Sequence, residues 1–251
     1  MVSNERDDRR IDDSIPATIR IDRRFRGPPE SGNGGYVCGR VARFIDGPAV
    51  VRLRVPPPLE TDLVVRPADG ELEVYDDETL VAEARPAALE VVVPEPPGYE
   101  EAEEASRDYR GFEQHAFPNC FVCGPERDPD DGLRIFAGPV PGRDLVAAPW
   151  IPHGSLEGAE GAVAPEFLWA ALDCPGASSF TAPEDRARVL GELAAEIRGG
   201  VPVGERCVVI GWERRSQGRR HWTGTALFDE SGDCRAVGLG TWFEVESEGT
   251  P

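Results

Sequence analysis

Lysine is absent from the 251-residue sequence, so all 27 basic residues are arginines. Acidic residues number 46, which gives a formal net charge of −19 at pH 7. Nucleic acids and anionic membrane surfaces attract basic patches, so this charge argues against both as partners. Any anion that the protein binds must therefore be bound by guanidinium groups or by backbone N–H groups.

Long apolar runs are also missing, and no stretch approaches the roughly 18 apolar residues of a membrane span. Residues 1–24 are highly charged, so we expect no secretory signal and no membrane association. Six cysteines in a chain of this length indicate reduced thiols in a cytoplasmic protein rather than a disulfide scaffold.

The hydrophobic content of 40% supports a substantial core, and the length suits one large domain or two ordinary ones. An acidic, proline-bounded stretch divides the chain into comparable halves. We predict a charged flexible arm, an N-terminal domain, an acidic and partly helical linker, a C-terminal domain and a tail, at residues 1–20, 21–93, 94–116, 117–246 and 247–251.

In the first half, a glycine-rich loop precedes a helix predicted over residues 36–46, with Asn33 as its N-cap. Alternating apolar residues then predict strands at residues 49–55, 62–74 and 79–84, the second interrupted by a turn at Ala68-Asp69-Gly70.

In the second half, strands are predicted at residues 132–136 and 144–151, followed by a helix over Val163–Asp173. This helix is apolar nearly all round, as expected for a buried element, and Cys174-Pro175-Gly176 should end it. A strand meander follows at residues 207–215, 221–229 and 236–245, whereas residues 187–197 fit either a strand or a helix.

Both halves therefore share one order of elements: a glycine-rich loop, a core helix and a run of antiparallel strands. The predicted fold class is α+β, with two long central helices, each wrapped by a curled antiparallel sheet. The two units would join side by side as an intrachain pseudo-dimer.

This plan resembles a tandem, or double, hot-dog fold of the acyl-CoA thioesterase-like superfamily. The resemblance rests on Phe25-x-Gly-Pro-Pro-x-x-x-Asn-Gly-Gly-Tyr36, on Val51–Leu59, on Cys120-Phe-Val-Cys-Gly124 with Gly132-Leu133, and on Ala171–Gly176. It implies hydrolysis of a thioester of coenzyme A or acyl-carrier protein. In one branch of the superfamily, His-Gly-Gly precedes the helix, and a carboxylate further along the facing helix activates water or attacks.

The chain departs from that pattern in both halves. Asn33-Gly34-Gly35 replaces His-Gly-Gly, and Ala42 stands where the first helix would carry its acid. The second helix keeps an acid, Asp173, but Ala164 stands nine residues before it and the glycine pair is missing. The resemblance thus implies one composite site, with Gly34 and Gly35 N–H groups as the oxyanion hole and Asp173 as base or nucleophile.

The candidate catalytic residues are therefore Asp173, Glu166 and Asn33, and the candidate substrate-binding residues are Gly34, Gly35, Tyr36 and Trp169. Each also has a purely structural interpretation. Asp173 could cap a turn, and Asn33 could cap a helix. Glu166 could be an ordinary first-turn glutamate that the helix dipole stabilises. Tyr36 and Trp169 could be core aromatics rather than walls of an acyl pocket.

Cys120-x-x-Cys123 is compatible with half a zinc site or a redox pair, and His115 and Cys174 are the candidates to complete a zinc set. Since the sequence has no second Cys-x-x-Cys or His-x-x-His, we predict no metal and no cofactor, and interpret the thiols as a buried turn. A predicted hairpin turn is flanked by basic residues that could bind phosphates or simply be solvated: Arg214, Arg215, Arg219, Arg220 and His221. His153 and His115 have no neighbouring nucleophile that suggests a triad.

We expect an acyl thioester as the small-molecule partner, and a homodimer of the whole chain is compatible with the plan. The alternative is a non-catalytic module that binds an acyl thioester or another apolar ligand. A dehydratase is the third option, which the lack of a histidine at the start of the helix disfavours.

Overall fold

The computed structural model describes residues 16–183 and 185–246, so most of the predicted arm and the whole tail lie outside the described residues. The described strands form one antiparallel sheet of eleven, in the order β1-β3-β4-β5-β2-β8-β11-β10-β9-β7-β6. Their bounds are β1 Ala17–Arg20, β2 Ala49–Leu53, β3 Asp62–Ala68, β4 Glu71–Asp76, β5 Thr79–Pro86, β6 Gly138–Pro139, β7 Val146–Trp150, β8 Arg186–Ile197, β9 Cys207–Gln217, β10 Arg220–Phe228 and β11 Cys234–Glu246.

A seam between β2 and β8 joins the two halves into that single sheet. Val51 pairs with Leu193 and Arg52 with Glu192 in an antiparallel register. The predicted side-by-side joining of the halves is realised in one continuous sheet rather than in two curled sheets, because the edge strands of the halves satisfy each other's backbone hydrogen bonds. Both Val51 and Leu193 are buried, so the seam is also part of the apolar core.

Two short helices, α1 (Gly34–Ala42) and α3 (Pro165–Ala171), pack against each other over the seam region. With nine and seven residues, they are not the long helices that were predicted. Their close approach depends on glycines, because a Cβ atom on Gly39 would lie 2.7 Å from Glu166 Cα and one on Gly35 would lie 2.5 Å from Asp173 Cβ.

The predicted helix over Val163–Asp173 is correct in its middle and wrong at its end. Pro165 occupies the first turn of α3 as expected, but Cys174-Pro175-Gly176 does not end the helical segment. These residues begin a further helix, α4 (Cys174–Ser178), after a break at Asp173, whose φ and ψ are −78° and −85°. Proline fits the first turn of a helix because its missing N–H has no intrahelical partner there.

Two further sequence expectations are settled by backbone pairing. Residues 187–197, ambiguous in sequence, lie within β8 between β2 and β11. Residues 132–136 are not a strand, since Arg134 adopts a left-handed conformation with φ of 55° and the segment pairs locally with the Cys120–Cys123 turn. Leu133 N donates to Phe121 O at 2.8 Å, and Ile135 N donates to Val122 O at 2.9 Å.

Segments assigned to the arm and the linker also carry structure. Residues Ala17–Arg20, predicted as part of a flexible arm, form β1 at the edge of the sheet against β3. The linker contains helix α2 (Tyr99–Arg107), whose Ala102 and Ala105 are buried in a second apolar cluster with β7, β9 and β10. Within the described part of the chain, no helix is long and apolar enough to cross a membrane.

Candidate active site

The N-terminus of α1 is organised by Asn33, as its N-cap role in the sequence predicts. Asn33 Oδ1 accepts a hydrogen bond from Tyr36 N at 2.9 Å, which satisfies one of the free N–H groups of the first turn. The other end of the same amide donates from Nδ2 to Asp173 Oδ2 at 2.6 Å. One buried side chain thus caps α1 and contacts the second half of the chain.

Asp173 reaches the same helix end from the break between α3 and α4. Its Oδ2 accepts from Gly35 N at 2.9 Å, in addition to the Asn33 amide. Its Oδ1 is buried and has no hydrogen-bond partner among the described residues. Gly35 and Asp173, which are 138 positions apart in sequence, are therefore joined by a hydrogen bond at the start of α1.

The electrostatic environment of this carboxyl is unusual. Asp173 is 3% exposed, and burial raises its pKa to about 7, although the hydrogen bonds from Gly35 N and Asn33 act in the opposite direction. Desolvation disfavours the charged form of an acid, which is the dominant effect here.

The first N–H group of α1 differs from the next two in its hydrogen bonding. Gly35 N and Tyr36 N are satisfied by Asp173 and Asn33, whereas Gly34 N has no hydrogen-bond acceptor within residues 16–183 and 185–246. Gly34 is partly exposed and lines an open space, so an external oxygen can approach this donor. An N–H at a helix N-terminus favours an anionic acceptor.

A central cleft of about 1980 Å³ opens over this helix end. Asn33, Gly34 and Asp173 line it, together with Leu53 of β2 and Leu190 of β8. The lining comes from both halves of the chain, so neither half could form this cleft alone.

Other candidate residues lie elsewhere. Tyr36, Trp169 and Glu166 do not line the central cleft in the described structure. Tyr36 is buried, stacks on Phe25 at 4.1 Å between ring centroids, and accepts from Arg40 Nη1 at 3.0 Å. Trp169 and Glu166 lie against Gly39 at the crossing of α1 and α3.

Arginines are concentrated around the cleft, although the protein as a whole is strongly acidic. Eight arginines line it against six carboxylates. Arg188 Nε and Arg186 Nη1 are buried without a hydrogen-bond partner among the described residues. The arginines are Arg54, Arg110, Arg143, Arg186, Arg188, Arg214, Arg215 and Arg219.

Of the hairpin arginines that the sequence offers for phosphate contact, Arg214, Arg215 and Arg219 line the cleft, whereas Arg186 and Arg188 were not predicted. Both lie at the start of β8, where Arg188 belongs to the segment of ambiguous pattern and Arg186 lies just before it. Had this segment been assigned as a strand, the alternation Arg186-Ala187-Arg188, with Ala187 buried, would have indicated these two arginines as candidates.

Solved structures share this architecture. A TesB protein from Mycobacterium avium subsp. paratuberculosis superposes with a TM-score of 0.55 at 10% identity, covering 85% of this chain and 87% of that one. An acyl-CoA thioesterase II, TesB2, from Mycobacterium marinum gives 0.52 at 14% identity, covering 93% and 94%.

The chain has the hot-dog fold. It matches no known family profile and no curated protein. At 10% and 14% identity these likenesses show the fold, and one fold can host many activities. The function therefore depends on the residues of the site.

Proposed function

We propose that the protein is a thioesterase-like hydrolase that cleaves an acyl-CoA or acyl-carrier thioester at a single composite site. One observation carries the proposal: Asp173, from the second half, lies 2.9 Å from Gly35 N at the start of α1, in the first half, beside a large open cleft. A carboxyl group and a helix N-terminus are the two parts that thioester hydrolysis needs.

In this proposal the thioester carbonyl oxygen accepts a hydrogen bond from Gly34 N, which stabilises the negative charge that develops during attack. The buried Asp173 carboxylate either takes a proton from an attacking water or attacks the carbonyl itself. The absence of a side chain at Gly34 lets the substrate approach the backbone closely.

The arginines of the cleft favour coenzyme A as the carrier. Arg188 Nε and Arg186 Nη1 are buried donors without acceptors in the described structure, and leaving such donors unpaired is costly. Guanidinium groups bind phosphate well, and in a chain without lysine they are the side chains available for it.

We further propose that the two halves are tandem hot-dog modules that arose by internal duplication. Support comes from the shared order of helix and strands, from the pairing of β2 with β8, and from the packing of α1 on α3. The reciprocal site would be inactive, because Ala42 and Ala164 occupy its acid and donor positions. All six cysteines are free thiols, which supports a cytoplasmic location.

The decisive experiment is Asp173→Asn, assayed for release of free thiol from a panel of acyl-CoA substrates. The amide oxygen can still accept from Gly35 N and Asn33, so we expect the fold to persist. General-base catalysis typically contributes about 10²–10⁴-fold, and we expect a loss of kcat in that range.

Asp46→Asn is the matched control, because Asp46 is an exposed carboxyl just beyond α1. It should retain full turnover, and both variants should keep their thermal midpoints within a few degrees of the parent. Unchanged turnover in Asp173→Asn would contradict the assignment.

A non-catalytic acyl-thioester binder is the second candidate, and a specific observation favours it. Gly35 N, the donor expected in the oxyanion hole, is already occupied by Asp173 Oδ2. The same substrate panel separates the two functions. Thermal stabilisation of the parent protein without thiol release would indicate binding alone.

A further inference from the structure

Three cysteines from two distant segments converge beside the composite site. Cys120 and Cys123 lie in the turn that precedes residues 132–136, and Cys174 begins α4. All three are buried, and their sulfur atoms lie within 4.8 Å of one another. Three buried thiols in contact are not explained by the proposed hydrolysis, which uses none of them.

The spacing of the sulfurs fits a metal ion better than a disulfide. Cys120 Sγ and Cys174 Sγ are 3.8 Å apart, far longer than the sulfur–sulfur bond of about 2.05 Å. Tetrahedral zinc with Zn–S bonds of about 2.3 Å holds its sulfurs roughly 3.8 Å apart. This separation therefore matches the edge of a zinc–thiolate tetrahedron, and Cys123 Sγ lies within 4.8 Å of both other sulfurs.

The turn that carries two of these cysteines is tightly built. Gly124 N donates to Cys120 O at 2.9 Å, and a Cβ atom on residue 124 would lie 2.5 Å from Cys120 N. Only glycine fits that position without a backbone shift. Cys120 and Cys123 are thus held on one side of the turn, facing Cys174.

Two N–H groups, from His115 and Asn33, lie close to sulfur atoms of the cluster, as hydrogen-bond donors to metal-binding thiolates do. His115 Nδ1 accepts from Phe117 N at 2.9 Å, so Nε2 carries the proton, and it lies 3.3 Å from Cys123 Sγ. Asn33 Nδ2 lies 3.7 Å from Cys120 Sγ. Such donors stabilise thiolate charge, and this tautomer makes His115 a hydrogen-bond donor rather than a ligand.

We propose that Cys120, Cys123 and Cys174 bind one zinc ion as three thiolates, with the fourth position open to the central cleft that all three line. Binding releases the three thiol protons and gives a complex of net charge −1, which the His115 and Asn33 N–H groups stabilise. The ion ties the turn after the linker to the start of α4, independently of thioester hydrolysis.

The test is the metal content of the reduced protein, measured by elemental analysis after incubation with zinc and removal of the excess. We expect one zinc per chain in the parent and in Cys207→Ser, a control that replaces a buried cysteine outside the cluster. Each of Cys120→Ser, Cys123→Ser and Cys174→Ser should lower zinc affinity at least tenfold. His115→Ala should still bind one zinc at saturation.

A second measurement keeps the test independent of variant folding. Cobalt titrated into the parent protein should give the intense sulfur-to-metal charge-transfer absorption of a cobalt thiolate. Failure of the parent to bind zinc or cobalt, or a Cys120–Cys174 disulfide in its native mass spectrum, would overturn the site. Loss of zinc in His115→Ala would overturn the three-thiolate ligand set.

Discussion

Asn33 performs two tasks with one amide, and both are needed at the same place. Its oxygen caps α1 through Tyr36 N, and its nitrogen donates to the buried Asp173. The amide of Asn33 therefore links the cap of α1 to the acid that lies at the start of that helix.

Asn33→Ala should lower the free energy of unfolding by about 2–4 kcal/mol. Loss of an N-cap costs about 1 kcal/mol, and removing a donor from a buried group costs about 1–3 kcal/mol. Urea unfolding measures the change, with Asp22→Ala as the control. Asp22 accepts from Arg24 N at 2.7 Å at an exposed turn and should cost about 1 kcal/mol or less. Equal losses in both variants would contradict the dual role of Asn33.

At the scale of elements, the crossing of α1 and α3 decides where the site forms. Gly35 and Gly39 are one helical turn apart and present the same face to α3, which allows backbone-to-backbone approach. The crossing places Asp173, two residues beyond α3, against the first turn of α1. Short helices suffice because their contact is made at glycines rather than through large side chains.

Gly39→Ala should destabilise the protein by about 1–3 kcal/mol, despite the better helix propensity of alanine. The added Cβ would lie 2.7 Å from Glu166 Cα, which is backbone and cannot move aside alone. Gly154→Ala is the control, since nothing lies within 4 Å of its added Cβ. A Gly39→Ala protein as stable as the parent in thermal unfolding would show that the helices can separate freely.

At the scale of the whole molecule, the continuous sheet makes the two halves one structural unit. The β2–β8 seam carries backbone pairing and two buried residues, Val51 and Leu193, and Arg52 Nε donates to Glu192 Oε2 at 2.8 Å across it. The partly exposed ion pair contributes little, so apolar burial dominates the seam.

One cooperative unfolding transition is therefore expected, and the distribution of tryptophan makes it measurable. All five tryptophans lie in the second half, whereas far-UV circular dichroism reports on both halves. Val51→Ala, in the first half, should shift both signals equally and cost about 2 kcal/mol. Val92→Ala, at a residue 92% exposed, should leave both unchanged. An unfolding transition that is unchanged by Val51→Ala when followed by tryptophan fluorescence would show that the halves unfold separately.

Local features were predictable because they depend on neighbours in sequence. The N-cap at Asn33, the proline in the first turn of α3 and most strands follow from periodicity and capping chemistry. The α4 helix was missed because a Pro-Gly pair that usually stops a helix here begins one. The strand expected at residues 132–136 was wrong because that segment pairs with the cysteine turn instead.

The hot-dog order of elements, the strong negative charge and the acid that follows the second core helix are all evident from the amino-acid sequence. The contact of Asp173 with Gly35, the contact of Cys174 with Cys120 and the single sheet shared by both halves become visible in the folded chain alone. Those pairs are 138 and 54 positions apart. No local pattern encodes them, because they depend on the β2–β8 register and on a helix crossing that glycine permits.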